Sequence, residues 1–264
     1  MIVEFIGCDG VGKTTLSRML CEHPLLEGRA VPMADLLFDR PGLRRITHPT
    51  AVNVVQEVSG LPFLLHAYRR RHGYISFSRR MHARYAPSTY HRLNGMRGIV
   101  RRVGMYELAR ARAVDRIVLY DEGTVLSAYL FALTDVELDP PDLERFAQLV
   151  PRPDRIVYVK ATVASLVHRA TTRPDPRRQH IGRNREQVER TIRRTVDVFD
   201  LMAEAAPLRD RVLVVENEDG DSDHMRQLVD DIARALRAPA GVDDVGTRSA
   251  PRVSPDELRA EPRH

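Results

Sequence analysis

The chain has 264 residues, is 43% hydrophobic, and carries 41 basic against 36 acidic residues for a net charge of +5. This is room for one α/β domain or two small ones, with apolar material enough to bury roughly 70–75% of the unfolded surface; it excludes wholesale disorder, and no apolar run reaches the ~18–20 residues of a membrane span. Two cysteines, Cys8 and Cys21, exclude a disulfide framework and match no metal spacing, so both are expected to be structural thiols.

Residues 1–6 (MIVEFI) form an apolar run that predicts a buried strand, entered without a basic leader region, so a soluble cytoplasmic protein is expected. The Gly-rich stretch 7–12 reads as a tight loop and 13–22 as a helix stopped near Pro24. A short edge strand is placed near 30–33, where Pro32 withholds a donor. Residues 52–71 and 97–115 have helical spacing, and the basic, Tyr-rich 72–92 lies between them. Next come a strand at 116–120 (RIVLY), a helical stretch at 124–133, a strand at 155–160 and a helix at 162–171. An Arg/Pro-rich loop at 173–183, a long polar helix at 184–205, a strand at 211–215 and a helix at 222–237 complete the set. Short apolar runs alternating with helices predict a five-stranded parallel sheet covered on both faces. One domain over 1–238 is expected, followed by a disordered tail at 239–264, rich in Pro, Gly and charge.

The charge is unevenly placed. Between Glu57 and Glu107 there are ten arginines and no acidic residue, a +10 block that leaves the remainder at about −5. Such a block implies an anionic partner. Lys13 and Lys160 are the only lysines in the chain.

Gly7-Cys8-Asp9-Gly10-Val11-Gly12-Lys13-Thr14 fits GxxxxGK[ST] between a predicted strand and a predicted helix, the context that a phosphate-binding loop requires. The glycines let backbone amides of Gly7, Gly10, Val11 and Gly12 turn toward a phosphate, with Thr15 following in the helix N-terminus. Lys13 would reach the terminal phosphates of ATP and Thr14 would ligate Mg²⁺. In Arg116–Gly123, RIVLYDEG, Asp121 and Glu122 stand at the C-terminal end of a strand, the Walker B form; Asp121 would support the metal, and Glu122 would serve as a base, activate water or cap a helix.

The stretch VEFIGCDGVGKTTLSRML resembles the opening of thymidylate kinases and the wider nucleoside and nucleotide kinase group, and the resemblance extends over 116–133 and 154–237. It implies a P-loop three-layer sandwich with a helical acceptor-binding insertion (about 35–112) and an arginine lid (about 169–183). It also implies an acceptor-positioning role for Asp9. At 121–122 the family reads Asp-Arg, and here Glu122 replaces the arginine that would contact the acceptor phosphate; Ser127-Ala128-Tyr129 keeps the later part of the motif, with Tyr129 at the substrate. The lid match places Arg169 against adenine or phosphates and Arg173, Arg177 and Arg178 at the transferring group. In the insertion, Arg69, Arg70, Arg71, Arg79 and Arg80, interleaved with aromatics, are expected to bind the acceptor.

These readings converge on ATP- and Mg²⁺-dependent phosphoryl transfer to a small anionic acceptor, a nucleotide or related metabolite, with a homodimer as the family's common form. A polynucleotide 5′-hydroxyl kinase or other nucleic-acid-binding NTPase, and an ATP-hydrolysing switch using Glu122, remain as alternatives.

Overall fold

The structure is a computed structural model that describes residues 1–38, 48–86, 88–133, 136–173, 182–218 and 221–237. The expected tail at 239–264 and lid positions 174–181, Arg177 and Arg178 among them, lie outside these residues.

Strands β1 (Ile2–Ile6), β2 (Ala30–Pro32), β3 (Ile117–Tyr120), β4 (Arg155–Lys160) and β5 (Val212–Glu216) form one sheet in the order β2-β3-β1-β4-β5. Every pairing is parallel, with Val3 opposite Leu119 on one side and Arg155 on the other. β1, β3 and most of β4 are buried, as strands covered on both faces must be. Pro32 is tolerated because, among the described residues, β2 is an edge strand paired with β3 alone.

Period-two alternation sends successive strand residues to opposite faces. Val3, Phe5, Val157 and Val159 pack with α1 (Lys13–Cys21), α6 (Val163–Thr172) and α8 (Ser222–Arg237). Ile6, Ile156 and Tyr158 pack with α3 (Pro49–Tyr85), α4 (Thr89–Arg112), α5 (Pro140–Leu149) and α7 (Arg185–Glu204). The short α2 (Asp35–Phe38) adds Leu36 and Leu37 to a third cluster against Ile2, Val118 and Tyr120. Glu4 shares the side of Ile2 and Ile6 and is fully buried.

The structure adds detail to the sequence reading at three places. The Tyr-rich stretch 72–92 belongs to α3 and α4, which are separated by a turn in which the Ser88 hydroxyl accepts from the His91 amide at 3.3 Å. Its large apolar positions are a helical stripe: Tyr74, Phe77 and Tyr85, with Met81 between them, are buried, and Tyr85 is edge-on to Phe131 at 5.2 Å. Residues 125–132 wind as a 3₁₀ helix. The unanticipated α5 starts at Pro140-Pro141, where proline is favoured because the first helical amides have no intrahelical acceptor.

α3 and α4 touch through glycine. A Cβ on Gly60 would lie 2.9 Å from the Gly104 carbonyl carbon, and one on Gly104 would lie 2.8 Å from the Gly60 oxygen. Backbone cannot yield as a side-chain tip can, so Gly60→Ala is expected to cost about 1–2 kcal/mol through overpacking despite its better helix propensity. Urea unfolding would show a lowered midpoint.

Candidate active site

In an all-parallel sheet the C-terminal ends of the strands share one edge, and the loops after β1 and β3 emerge there side by side. The loop after β1 depends on positive φ at Gly7 (129°), Gly10 (81°) and Gly12 (100°). Two of these positions are also sterically closed. A Cβ on Gly7 would lie 2.3 Å from the Val159 oxygen, and one on Gly12 would lie 2.7 Å from Asn217 Nδ2. Asn217, just past β5, donates to the Val11 carbonyl at 2.7 Å and so ties the loop to the far side of the sheet. Cys8 is buried beneath the loop, where desolvation pushes its thiol up to about 12 and keeps it protonated.

Lys13 opens α1, and its Nζ donates to the Gly7 and Cys8 carbonyls at 2.6 and 2.7 Å, which holds the ammonium over the loop. The hydroxyl of the next residue, Thr14, donates to Asp121 Oδ2 at 3.2 Å. The two proposed metal-supporting side chains therefore meet, although 107 residues separate them. Burial and the nearby Asp9 charge both push the Tyr129 phenol up, while its hydrogen bond with Thr195 works the other way.

Thr14, Asp121, Glu122 and Tyr129 line a cleft of about 1770 Å³ between α1, the β3 edge and the α3–α4 pair. Glu122 is 61% exposed and faces Arg101 of α4, with Oε2 to NH2 at 3.5 Å, and Arg101 also donates to Asn53 of α3. Arg102 donates from Nε to the Glu122 carbonyl at 3.3 Å and from NH1 to Ser127 Oγ at 3.5 Å. Arg97, on the same cleft, is bound to Glu57 at 2.8 Å.

These three arginines were not singled out from the basic block. Their spacing on one helix, immediately ahead of the strand that carries Asp121, was the available signal. Arg69, Arg70, Arg79 and Arg80 were expected at the acceptor, but they do not line this cleft. Arg70 and Arg71 bind Glu107 at 3.5 and 2.6 Å, toward the strand-entry edge of the sheet, and Arg80 lies over Phe77 at 5.8 Å. Placement on α4 rather than α3, not membership of the block, decides which of its arginines reach the cleft.

Glu4 was also overlooked. Its carboxylate accepts from the Leu126 amide at 2.7 Å and the Thr124 hydroxyl at 3.3 Å, anchoring the segment that follows Asp121-Glu122. A Cβ on Gly123 would fall 2.2 Å from Glu4 Cδ, so glycine is required where the chain crosses the carboxyl. An acid inside the apolar run MIVEFI was the signal.

On the other flank of the loop, Arg169 of α6 donates to the Asn217 carbonyl at 2.9 Å and to the Glu218 carbonyl, and its Cβ lies 3.9 Å from where a Gly10 Cβ would stand. Arg173 caps the C-terminus of α6 and is exposed. Among the described residues no group of three or more His, Cys, Asp or Glu side chains forms a metal-binding cluster, and no described helix is long and apolar enough to cross a membrane.

No protein-family model matches the chain, and no curated protein matches it significantly. Among solved structures it is similar to the shikimate kinase of Bacteroides thetaiotaomicron, over 90% of this chain and 99% of that one, with 10% identity and a TM-score of 0.47. A likeness at that level assigns no activity. The strand order, the all-parallel sheet and the glycine loop leading into α1 are themselves those of a P-loop kinase α/β fold.

Proposed function

We propose that the chain is an ATP-dependent, Mg²⁺-assisted phosphotransferase acting on a small anionic acceptor held in the cleft beside Asp121. The observation that carries this reading is the contact of Asp121 with Thr14, which follows the glycine loop in the chain and, like Asp121, lines that cleft. The cradle suits a polyphosphate: three positive-φ glycines aim amides inward at a helix N-terminus, and one ammonium stands over them. Bound ATP and Mg²⁺ would supply the phosphoryl group and a divalent charge to offset that of the phosphates.

The protein's own groups then divide the work. Lys13, now on two loop carbonyls, would offer its ammonium to the phosphate oxygens, and Thr14 and Asp121 would hold the metal. Arg169 and the carbonyls at 217–218 form the wall on the nucleotide side, and Arg173, at the end of α6, would meet the transferring group, the role that the family resemblance also gives Arg177. Asp9 and Tyr129 orient the acceptor hydroxyl. Glu122 is held by Arg101, and this pair with Arg102 sets the charge of the acceptor side. That arrangement favours a positioning role for Glu122 over activation of water. A thymidylate kinase-like subtype is the narrower form of the proposal, with an acceptor other than thymidylate, since the family's arginine is absent at 122.

The test is coupled ADP release with nucleosides, nucleoside monophosphates, sugar phosphates and oligonucleotides as acceptors. One small anionic class should raise turnover at least about tenfold over the acceptor-free rate, and Asp121→Asn should reduce it by about 10²–10³. A flat acceptor profile with steady hydrolysis would overturn the proposal in favour of an ATP-driven switch.

A further inference from the structure

A second set of arginines gathers at the opposite edge of the sheet, where the chain enters the strands. Two hollows of about 590 and 530 Å³ adjoin there, with Arg152, Asp154 and Arg211 in the walls of both. Arg70 and Arg71 come from α3, Arg110 from α4, Arg152 and Arg155 from the approach and start of β4, and Arg211 from the residue before β5. Four separate stretches of chain thus deliver six guanidinium groups to one concave surface. Arg70 and Arg71 of the triplet at 69–71, which the P-loop cleft does not use, are part of it.

The acids nearby are few and already engaged. Glu107, only 6% exposed, is taken by Arg71 at 2.6 Å and more loosely by Arg70 at 3.5 Å. Asp154 accepts from the Ile2 amide at 2.6 Å, and Asp210 faces Arg209 at 3.5 Å. Arg155 and Arg211 donate to backbone carbonyls, those of Asp210 at 3.4 Å and Pro153 at 3.1 Å. Among the described residues no carboxylate forms a salt bridge with Arg110, Arg152, Arg155 or Arg211. Arg71 is further fixed by lying over the Tyr106 ring at 5.3 Å. Uncompensated guanidinium groups lining a concavity focus positive potential, and their forked donors match phosphate oxygens.

We propose that this basin is a second ligand site, separate from the P-loop, that takes a small polyanion bearing two or more phosphoryl groups. Each hollow falls within the ~300–1,000 Å³ of small-ligand pockets. The walls offer no stacking platform: Tyr106, the one aromatic residue lining them, is buried and its hydroxyl is bound to the Arg152 carbonyl at 2.6 Å. A single-stranded nucleic-acid groove would present exposed rings to successive bases. The inference rests on arginine placement and not on the proposed reaction.

The experiment is calorimetric titration of the full-length protein with inorganic tripolyphosphate, with the P-loop saturated by a non-hydrolysable ATP analogue and Mg²⁺. Binding should persist under that saturation and in Lys13→Ala. It should weaken at least about tenfold in Arg110→Gln/Arg152→Gln, which removes charge-assisted hydrogen bonds, and stay unchanged in Arg79→Gln. Both replaced side chains are exposed, and Tyr106, which loses its contact with the Arg110 side chain, keeps its hydroxyl bond to the Arg152 backbone carbonyl, so the double variant should shift its thermal midpoint only slightly. No binding, unchanged binding in the double variant, loss of binding in Lys13→Ala, or tighter binding of a twelve-residue oligothymidylate than of tripolyphosphate would each overturn the assignment.

Discussion

Lys13→Ala is expected to reduce phosphoryl transfer by about 10³-fold or more while leaving the fold in place. Charge builds on the phosphoryl oxygens during transfer, and a positioned ammonium in a partly desolvated loop contributes several kcal/mol to stabilising it, each ~1.4 kcal/mol being a factor of ten. Lys13 is held by two carbonyls, those of Gly7 and Cys8. Their loss does not unbuild the loop, whose shape is set by its glycines and by Asn217 on Val11. Lys13→Arg should fail almost as badly, because a planar guanidinium cannot occupy the same point between two carbonyls and a phosphate. Single-turnover transfer from labelled ATP, alongside a thermal melt, decides the matter: near-normal transfer in Lys13→Ala would remove the basis of the proposed reaction.

The P-loop was legible because its residues are contiguous. Local backbone constraint, helix start and phosphate chemistry all fall within eight positions, and the strands were legible because burial on both faces demands short apolar runs. Asp121 could be paired in advance with Thr14 because both positions are set by strand ends in a parallel sheet. The acceptor side was not legible in this way. Which arginines of a basic block face a cleft depends on how two long helices lie on the sheet, and that is decided by the glycine contact of Gly60 with Gly104 and by the aromatic stripe of α3. Neither feature states its partner in the sequence. Thus Arg97, Arg101 and Arg102 line the cleft, whereas Arg70 and Arg71 turn to Glu107 at the other edge. Glu4 shows the same limit from another direction: an acid in a core strand announces that something must satisfy it, but not that Leu126, Thr124 and Gly123 are what it meets.

Glu4 should make stability fall as pH rises through the weakly acidic range. Complete burial pushes its carboxyl from the ordinary 4.5 up to about 7, against the opposing effects of the amides of Leu126 and Val125, the Arg102 charge and the Thr124 hydroxyl. In the native state the group therefore keeps its proton between pH 4.5 and 7, whereas in the unfolded chain it has lost it. The native state binds more protons over that window, so unfolding free energy decreases with pH. The contribution is fully present below pH 4.5, declines through the window, and is gone above about 7, a change of about 3 kcal/mol. His82 works in the opposite sense. Burial lowers its pKa from 6.5, so over the interval just below that value the unfolded chain binds the extra proton and stability rises with pH. The wild-type profile is therefore the sum of two opposed slopes, and Glu4→Gln separates them. A glutamine oxygen can still accept from Leu126, and Thr124 keeps its bond to the Pro151 carbonyl at 2.7 Å, so the variant retains the anchor but not the titration. Urea unfolding from pH 4.5 to 8 should show Glu4→Gln gaining on the wild type by about 3 kcal/mol from one end of the range to the other. Parallel profiles for the two proteins would mean that Glu4 is ionised throughout, with Arg102 as its effective counter-charge.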